Sequence, residues 1–144
     1  LDKLPIAADA EITLEVNPGT QEYMEFSEYR SAGINRLSVG AQSFDEHKLK
    51  RLGRIHQSTD TTTAFIEARN AGFKNINLDL MWGLPEQTVA DALSDLQIAI
   101  DLQPEHISWY QLTIEAKTEF AKRTPILPME QEIYGGAFWC RHCT

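Results

Sequence analysis

A carboxylate placed inside an apolar run points first to chemistry. In "NINLDLMWGLPEQT", residues 75 to 88, Asp79 interrupts Ile76 to Met81, a run of the kind used by a strand buried on both faces. Leaving a bare carboxylate there costs free energy unless something pairs with it. Gly83 and Pro85 then end the strand, and Glu86, Gln87 and Thr88 lead into a helical pattern. Asp79 therefore belongs near the carboxyl end of a strand that feeds a helix, which is where β/α sheets bind ligands.

Other chain segments repeat this placement. Glu15 and Asn17 end "EITLEVN", Gln42 ends "INRLSVGAQ", and Gln111 and Thr113 fall late in "HISWYQLTI". Any one of them reads most simply as a strand-end polar group bonded to a nearby loop. Four strands with the same habit are less economically explained that way, because a barrel core fills such positions with Val, Ile and Leu. Together they predict a polar rim.

The elements that must carry this rim alternate strictly. The first strand spans Glu11 to Asn17 and is followed by a helix capped by Thr20 and closed by Gly33. The second runs from Ile34 to Gln42, then "SFDEHKLKRLG", then a helix "STDTTTAFIEARNAG" closed by Gly72. The third is the Asp79 strand, whose following helix sets Val89, Leu93, Leu96 and Ile100 on one face. The fourth spans His106 to Ile114. Strand and helix in alternation predict an α/β fold of parallel β/α units.

Composition bounds the function. With 144 residues, 42% hydrophobic and 24% charged, the chain is long enough for a real core. A formal charge of −8 lacks the electrostatic footprint of a nucleic-acid binder. No apolar run approaches the ~20 residues that span a bilayer, and no signal peptide opens the sequence, so a cytoplasmic location is expected. The two cysteines, Cys140 and Cys143, are no framework for a disulfide-stapled secreted domain.

The blocks "EITLEVNPGT", "GINRLSVGAQSFDEHKLKRLGRIH", "NINLDLMWGLPEQT" and "HISWYQLTIE" resemble the middle of the radical S-adenosylmethionine (SAM) proteins related to oxygen-independent coproporphyrinogen III oxidase, and "LGRIH" is most similar to the HemW-like haem-chaperone branch. The resemblance covers roughly Ala10 to Pro128. It implies part of a partial, TIM-like (β/α) barrel over residues 1–128, with 129–144 a tail whose last residues, "AFWCRHCT", depart from the family. It further implies that Glu15 holds ribose hydroxyls of SAM, and that Gln42, Arg54 and Asp79 contact a second SAM. Their chemistry suits a zwitterionic amino acid: a guanidinium for its carboxylate, a carboxylate for its ammonium, an amide for either. Thr113 falls at another SAM contact of the relative, through side chain or backbone. On this reading Asp79 tolerates its strand because a cationic ligand or Arg54 faces it.

The family's CxxxCxxC signature, whose three thiolates leave one iron of a [4Fe–4S] cluster open for SAM, belongs upstream of the first strand and is not in this sequence. Cys140 and Cys143, with His142 between them, are a weak metal signal. A frameshifted, mis-spliced or truncated reading frame is the expected origin of that tail, and a longer parent protein the expected owner of the cluster.

Three function classes follow from the resemblance: a haem carrier that binds SAM and haem and serves a haem-acceptor protein, an enzyme that decarboxylates porphyrinogen propionates oxidatively, or a fragment without activity. Among remaining candidates, Lys48, Lys50 and Arg51 could meet propionates but usually such a run is a solvated helix face. His47, His56 and His106 could ligate haem iron, against a surface or structural role. Trp82 is the expected aromatic platform, with Trp109 in the core and Tyr110 as a further stacking candidate.

Overall fold

The computed structural model describes residues 5–19, 26–117, 119–122, 125, 127 and 128. In chain order the elements are β1 (Thr13–Val16), α1 (Phe26–Ser31), β2 (Arg36–Gln42), α2 (Glu46–Arg51), α3 (Ser58–Asn70), β3 (Ile76–Trp82), α4 (Val89–Asp101), β4 (His106–Gln111) and α5 (Glu119–Lys122). The four strands form one parallel sheet in the order β1-β2-β3-β4. The expected α/β class and β/α alternation hold. The expected Thr20 cap and the cysteine tail lie outside the described residues.

Alternation along the strands separates two faces. Leu14 and Val16, Leu37, Val39 and Ala41, Ile76, Leu78 and Leu80, and Ile107 and Trp109 join one core with Phe26 of α1, Ala64, Phe65 and Ala68 of α3, and Leu96 and Ala99 of α4. Each fully buried Leu, Ile or Val there contributes roughly 1.5–3 kcal/mol relative to exposure. Thr13 and Glu15, Ser38 and Gly40, Asn77 and Asp79, and Ser108 and Tyr110 occupy the opposite face. So β3 is not apolar on both sides: its even residues pack under helices, while Asn77 and Asp79 set polar groups on the opposite, inner face.

Several local devices set the loops at the carboxyl ends of the strands. Thr88 caps α4 in a reciprocal box with Asp91. Asp45 caps α2, accepting from His47 and Lys48 N–H groups at 2.7 and 3.2 Å. The β2 ladder carries a bulge between Val39 and Gln42, and Gln42 takes φ of +66°. β4 ends at Gln111 rather than Ile114, because β3 stops at Trp82, whose carbonyl takes the Leu112 N–H at 2.9 Å.

Candidate functional site

Asp79 is half-buried on the inner face, and both its oxygens are occupied. Ser38 Oγ donates to Oδ2 at 2.8 Å and Asn77 Nδ2 donates to Oδ1 at 2.9 Å. Asn77, buried at 2% exposure, also donates to Ser38 Oγ at 2.8 Å and accepts from Ser108 Oγ at 3.0 Å. Parallel register makes this set: Ser38 lies opposite Asn77, and Asp79 opposite Ser108. A carboxylate accepting two uncharged donors keeps its charge available to a third party.

Above this floor, Tyr110 is the meeting point. Its Oη donates to Gln42 Oε1 at 2.9 Å. Burial raises the phenol above its ordinary value of 10.0; the charges of Asp79 and Glu15 push the same way, and the Gln42 hydrogen bond and the Arg54 charge oppose them. Four of the residues singled out in the sequence, Glu15, Gln42, Arg54 and Asp79, thus sit within electrostatic or hydrogen-bond reach of one ring. Arg54 Nη1 donates to Asn17 Oδ1 at 2.9 Å, joining the β1 end to the loop after α2. Between them lies Gly40, where a Cβ would come within 2.9 Å of Gln42 Nε2 and 3.4 Å of Asn17 Oδ1. Thr113 lies two residues past the end of β4 and is exposed.

The rim is braced from behind. Asp95 of α4, 3% exposed, accepts from Ser43 Oγ at 2.6 Å and Phe44 N–H at 2.7 Å, clamping the residues after Gln42. Burial raises its carboxyl above the usual 3.8, against the pull of those two bonds. His56 is 4% exposed, and burial lowers its ring below the usual 6.5. It packs on the turn after Asn17 so closely that a Cβ on Gly19 would sit 2.7 Å from His56 Cβ. Lys48 donates to the Glu86 carbonyl at 2.7 Å, and Arg51 pairs with the Glu86 carboxylate at 2.9 Å, so both tie α2 to the β3–α4 turn.

Two expectations change. Trp82 is 8% exposed and packs with Ala92, Val89 and Trp109 on the helical side, because an even residue of β3 faces α4; Tyr110 is the inner-face aromatic instead. Lys48 is buried in a structural contact, not part of a solvated face. His47 and His106 are exposed. The sequence reading missed Ser38, Asn77 and Ser108. The i, i+2 spacing of Asn77 and Asp79 was a usable signal; the two serines needed the register. Among the described residues no group of three or more His, Cys, Asp or Glu side chains could hold a metal, so the described residues do not fit an iron–sulfur cluster.

The sequence profile of the radical SAM superfamily matches residues 1–99. The chain is 54% identical to the heme chaperone HemW of Escherichia coli over 92% of its length and 35% of that protein. It is 40% identical to the Bacillus subtilis heme chaperone HemW, covering 85% of this chain and 34% of that one. Among solved structures, coproporphyrinogen III oxidase (HemN) from Escherichia coli, a radical SAM enzyme, superposes with a TM-score of 0.80 at 30% identity, over 92% of this chain and 32% of that one. The chain spans about a third of the length of these relatives. The profile match over more than half of its residues, on a parallel sheet with a polar inner face, places this chain in the radical SAM superfamily.

Proposed function

We propose that the inner face binds SAM and that the chain is the central β/α portion of a haem chaperone. The observation that carries this is the gathering of Glu15, Gln42, Arg54 and Asp79 around Tyr110, which offers a diol acceptor, an amide, a guanidinium and a carboxylate on one face of the sheet. SAM presents the complement: a ribose diol, an ammonium, a carboxylate and a sulfonium. Glu15 takes the ribose diol of one SAM; at a second SAM Asp79 takes the ammonium, Arg54 the carboxylate, and Gln42 bridges them. The [4Fe–4S] cluster that the superfamily implies would be held by residues outside this chain's described portion. Haem is the cargo on this reading, handed to an acceptor protein in the cytoplasm. Among the described residues no helix is long and apolar enough to cross a membrane.

The structural likeness to coproporphyrinogen III oxidase supports a second reading, oxidative decarboxylation of a porphyrinogen. The two part on cargo. Titration of the chain with SAM and separately with haemin tests them: SAM affinity lost in Asp79→Asn and Arg54→Ala with haemin binding retained supports the carrier. Wild-type SAM affinity in both variants would remove the site assignment.

A further inference from the structure

Asn77 is used by neither reading, yet it is a buried amide whose bonds all lead to the proposed site. Its two Nδ2 protons go to Ser38 Oγ and Asp79 Oδ1, and its Oδ1 takes the Ser108 hydroxyl proton. Ser38, having accepted from Asn77, has one proton left, and it goes to Asp79 Oδ2. Every donor in this four-residue set is allotted. The direction is also determined: because the Asp79 carboxylate can only accept, the NH2 of the Asn77 amide faces β2 and Asp79, and its oxygen faces β4 and takes the Ser108 hydroxyl proton. Reversing that amide would set the Asn77 carbonyl oxygen against a carboxylate and leave both unpaired.

We propose that Asn77 is a positioning residue for Asp79, setting the carboxylate across three strands so that its charge meets the ammonium of the bound ligand. The inference rests on the reading that the inner face takes SAM. Asp79 itself touches the ligand; Asn77 acts through it, and Ser108 acts through Asn77. An apolar side chain of the same size would fill the space, at the stability cost of leaving the Ser108 hydroxyl and one Asp79 oxygen without their partner. What such a replacement removes is the orientation of the acid.

The test compares two ligands on the full chain. SAM carries the ammonium; 5′-methylthioadenosine carries the same adenine, ribose and sulfur without the amino-acid end. Asn77→Leu is expected to weaken SAM binding about tenfold, the size of one lost charge-assisted contact, while 5′-methylthioadenosine binds within about twofold of wild type. Ser108→Ala, a smaller change that also serves if Asn77→Leu does not fold, should weaken SAM about threefold with the same selectivity. SAM binding unchanged in both variants, or both ligands weakened alike, overturns the positioning role. Asp79→Asn separates the two levels: if it leaves SAM binding unchanged, the reading of the inner face fails and this inference with it; if it weakens SAM while Asn77→Leu and Ser108→Ala do not, only the role of Asn77 falls.

Discussion

Tyr110 Oη lies 2.9 Å from Gln42 Oε1, joining the end of β2 to β4 across the intervening β3. The phenol can donate only while protonated, and burial holds its proton past pH 10.0. Its donation fixes the Gln42 amide with oxygen toward Tyr110 and nitrogen toward Gly40. Without that bond the amide is free to rotate at χ3, a broad torsion.

Tyr110→Phe should therefore keep the ring and lose the orientation. The expected cost is about 1 kcal/mol in stability and a severalfold loss in SAM affinity. Because the folded phenol is raised, the stability it contributes is present below pH 10 and is lost as pH rises through the raised value. A denaturant melt and a SAM titration of both proteins check this; an affinity equal to wild type would show that Gln42 is oriented by other means.

Asp95 holds the next two residues. Gln42 is one of four described non-glycine residues at positive φ, a conformation costing roughly 1–2 kcal/mol that persists only when its surroundings hold it. Asp95→Ala strands the Phe44 N–H and Ser43 hydroxyl and should cost about 1–3 kcal/mol. The pH signature is separate. Burial raises this carboxyl above 3.8, so its contribution is full below that value and is lost as pH rises through the raised one. Asp95→Asn should lack this slope; an unchanged slope in urea melts run from pH 3 to 7 would assign the titration elsewhere.

How much of this could be read in the sequence depends on which distance mattered. Asp79 was visible because one carboxylate in an apolar run breaks a local pattern, and the β/α order followed from Gly and Pro placement beside periodic segments. Glu15 and Gln42 were legible as polar residues at strand ends, Arg54 came from motif resemblance alone, and the fold brings all three toward Tyr110. Asp95 was invisible: on α4 it falls on the buried face with Ala92, Leu96 and Ala99, displacing the expected stripe of Val89 and Leu93, which are only half-buried. Helical spacing alone treats an acid as an outward residue; only the Ser43 and Phe44 donors, 52 and 51 residues away, explain its burial. Trp82 failed for the same reason, since its face depends on which parity of β3 meets α4.

His56 titrates in the opposite sense to Asp95. Burial lowers its ring below 6.5, so the unfolded chain binds the proton more readily. Stability is full above pH 6.5 and declines as pH falls through the lowered value. His56→Gln should flatten that decline while losing some of the packing on Gly19. Thermal melts across pH 4.5 to 7.5 decide it, and a variant as acid-sensitive as wild type would place the responsible group elsewhere.

Iron chemistry gives a prediction of composition. The chain has two cysteines, and three thiolates are needed to hold a SAM-binding [4Fe–4S] cluster with one open iron. Anaerobic reconstitution with iron and sulfide should leave it without stoichiometric cluster. Stoichiometric iron and sulfide, lost in a Cys140→Ser, Cys143→Ser double variant, would overturn this.

Gly40 separates the site from the scaffold. It lies on the inner face of β2, and a methyl group there would come within 2.9 Å of Gln42 Nε2, the free end of a side chain, and no closer than 3.4 Å to Asn17 Oδ1. Its φ is not among the positive values, so alanine meets no backbone strain. The scaffold should accept the methyl, changing stability by no more than about 1 kcal/mol, since strand glycine is itself unfavourable. The Gln42 amide must move, however, and in moving it leaves Tyr110 or crowds the Asn17 oxygen that holds Arg54. Gly40→Ala is therefore expected to melt like wild type and bind SAM severalfold more weakly, the reverse of a core substitution. Equal affinity would mean that the ligand does not rest on Gln42; a large loss of stability would mean that the inner face is packed by more than these side chains.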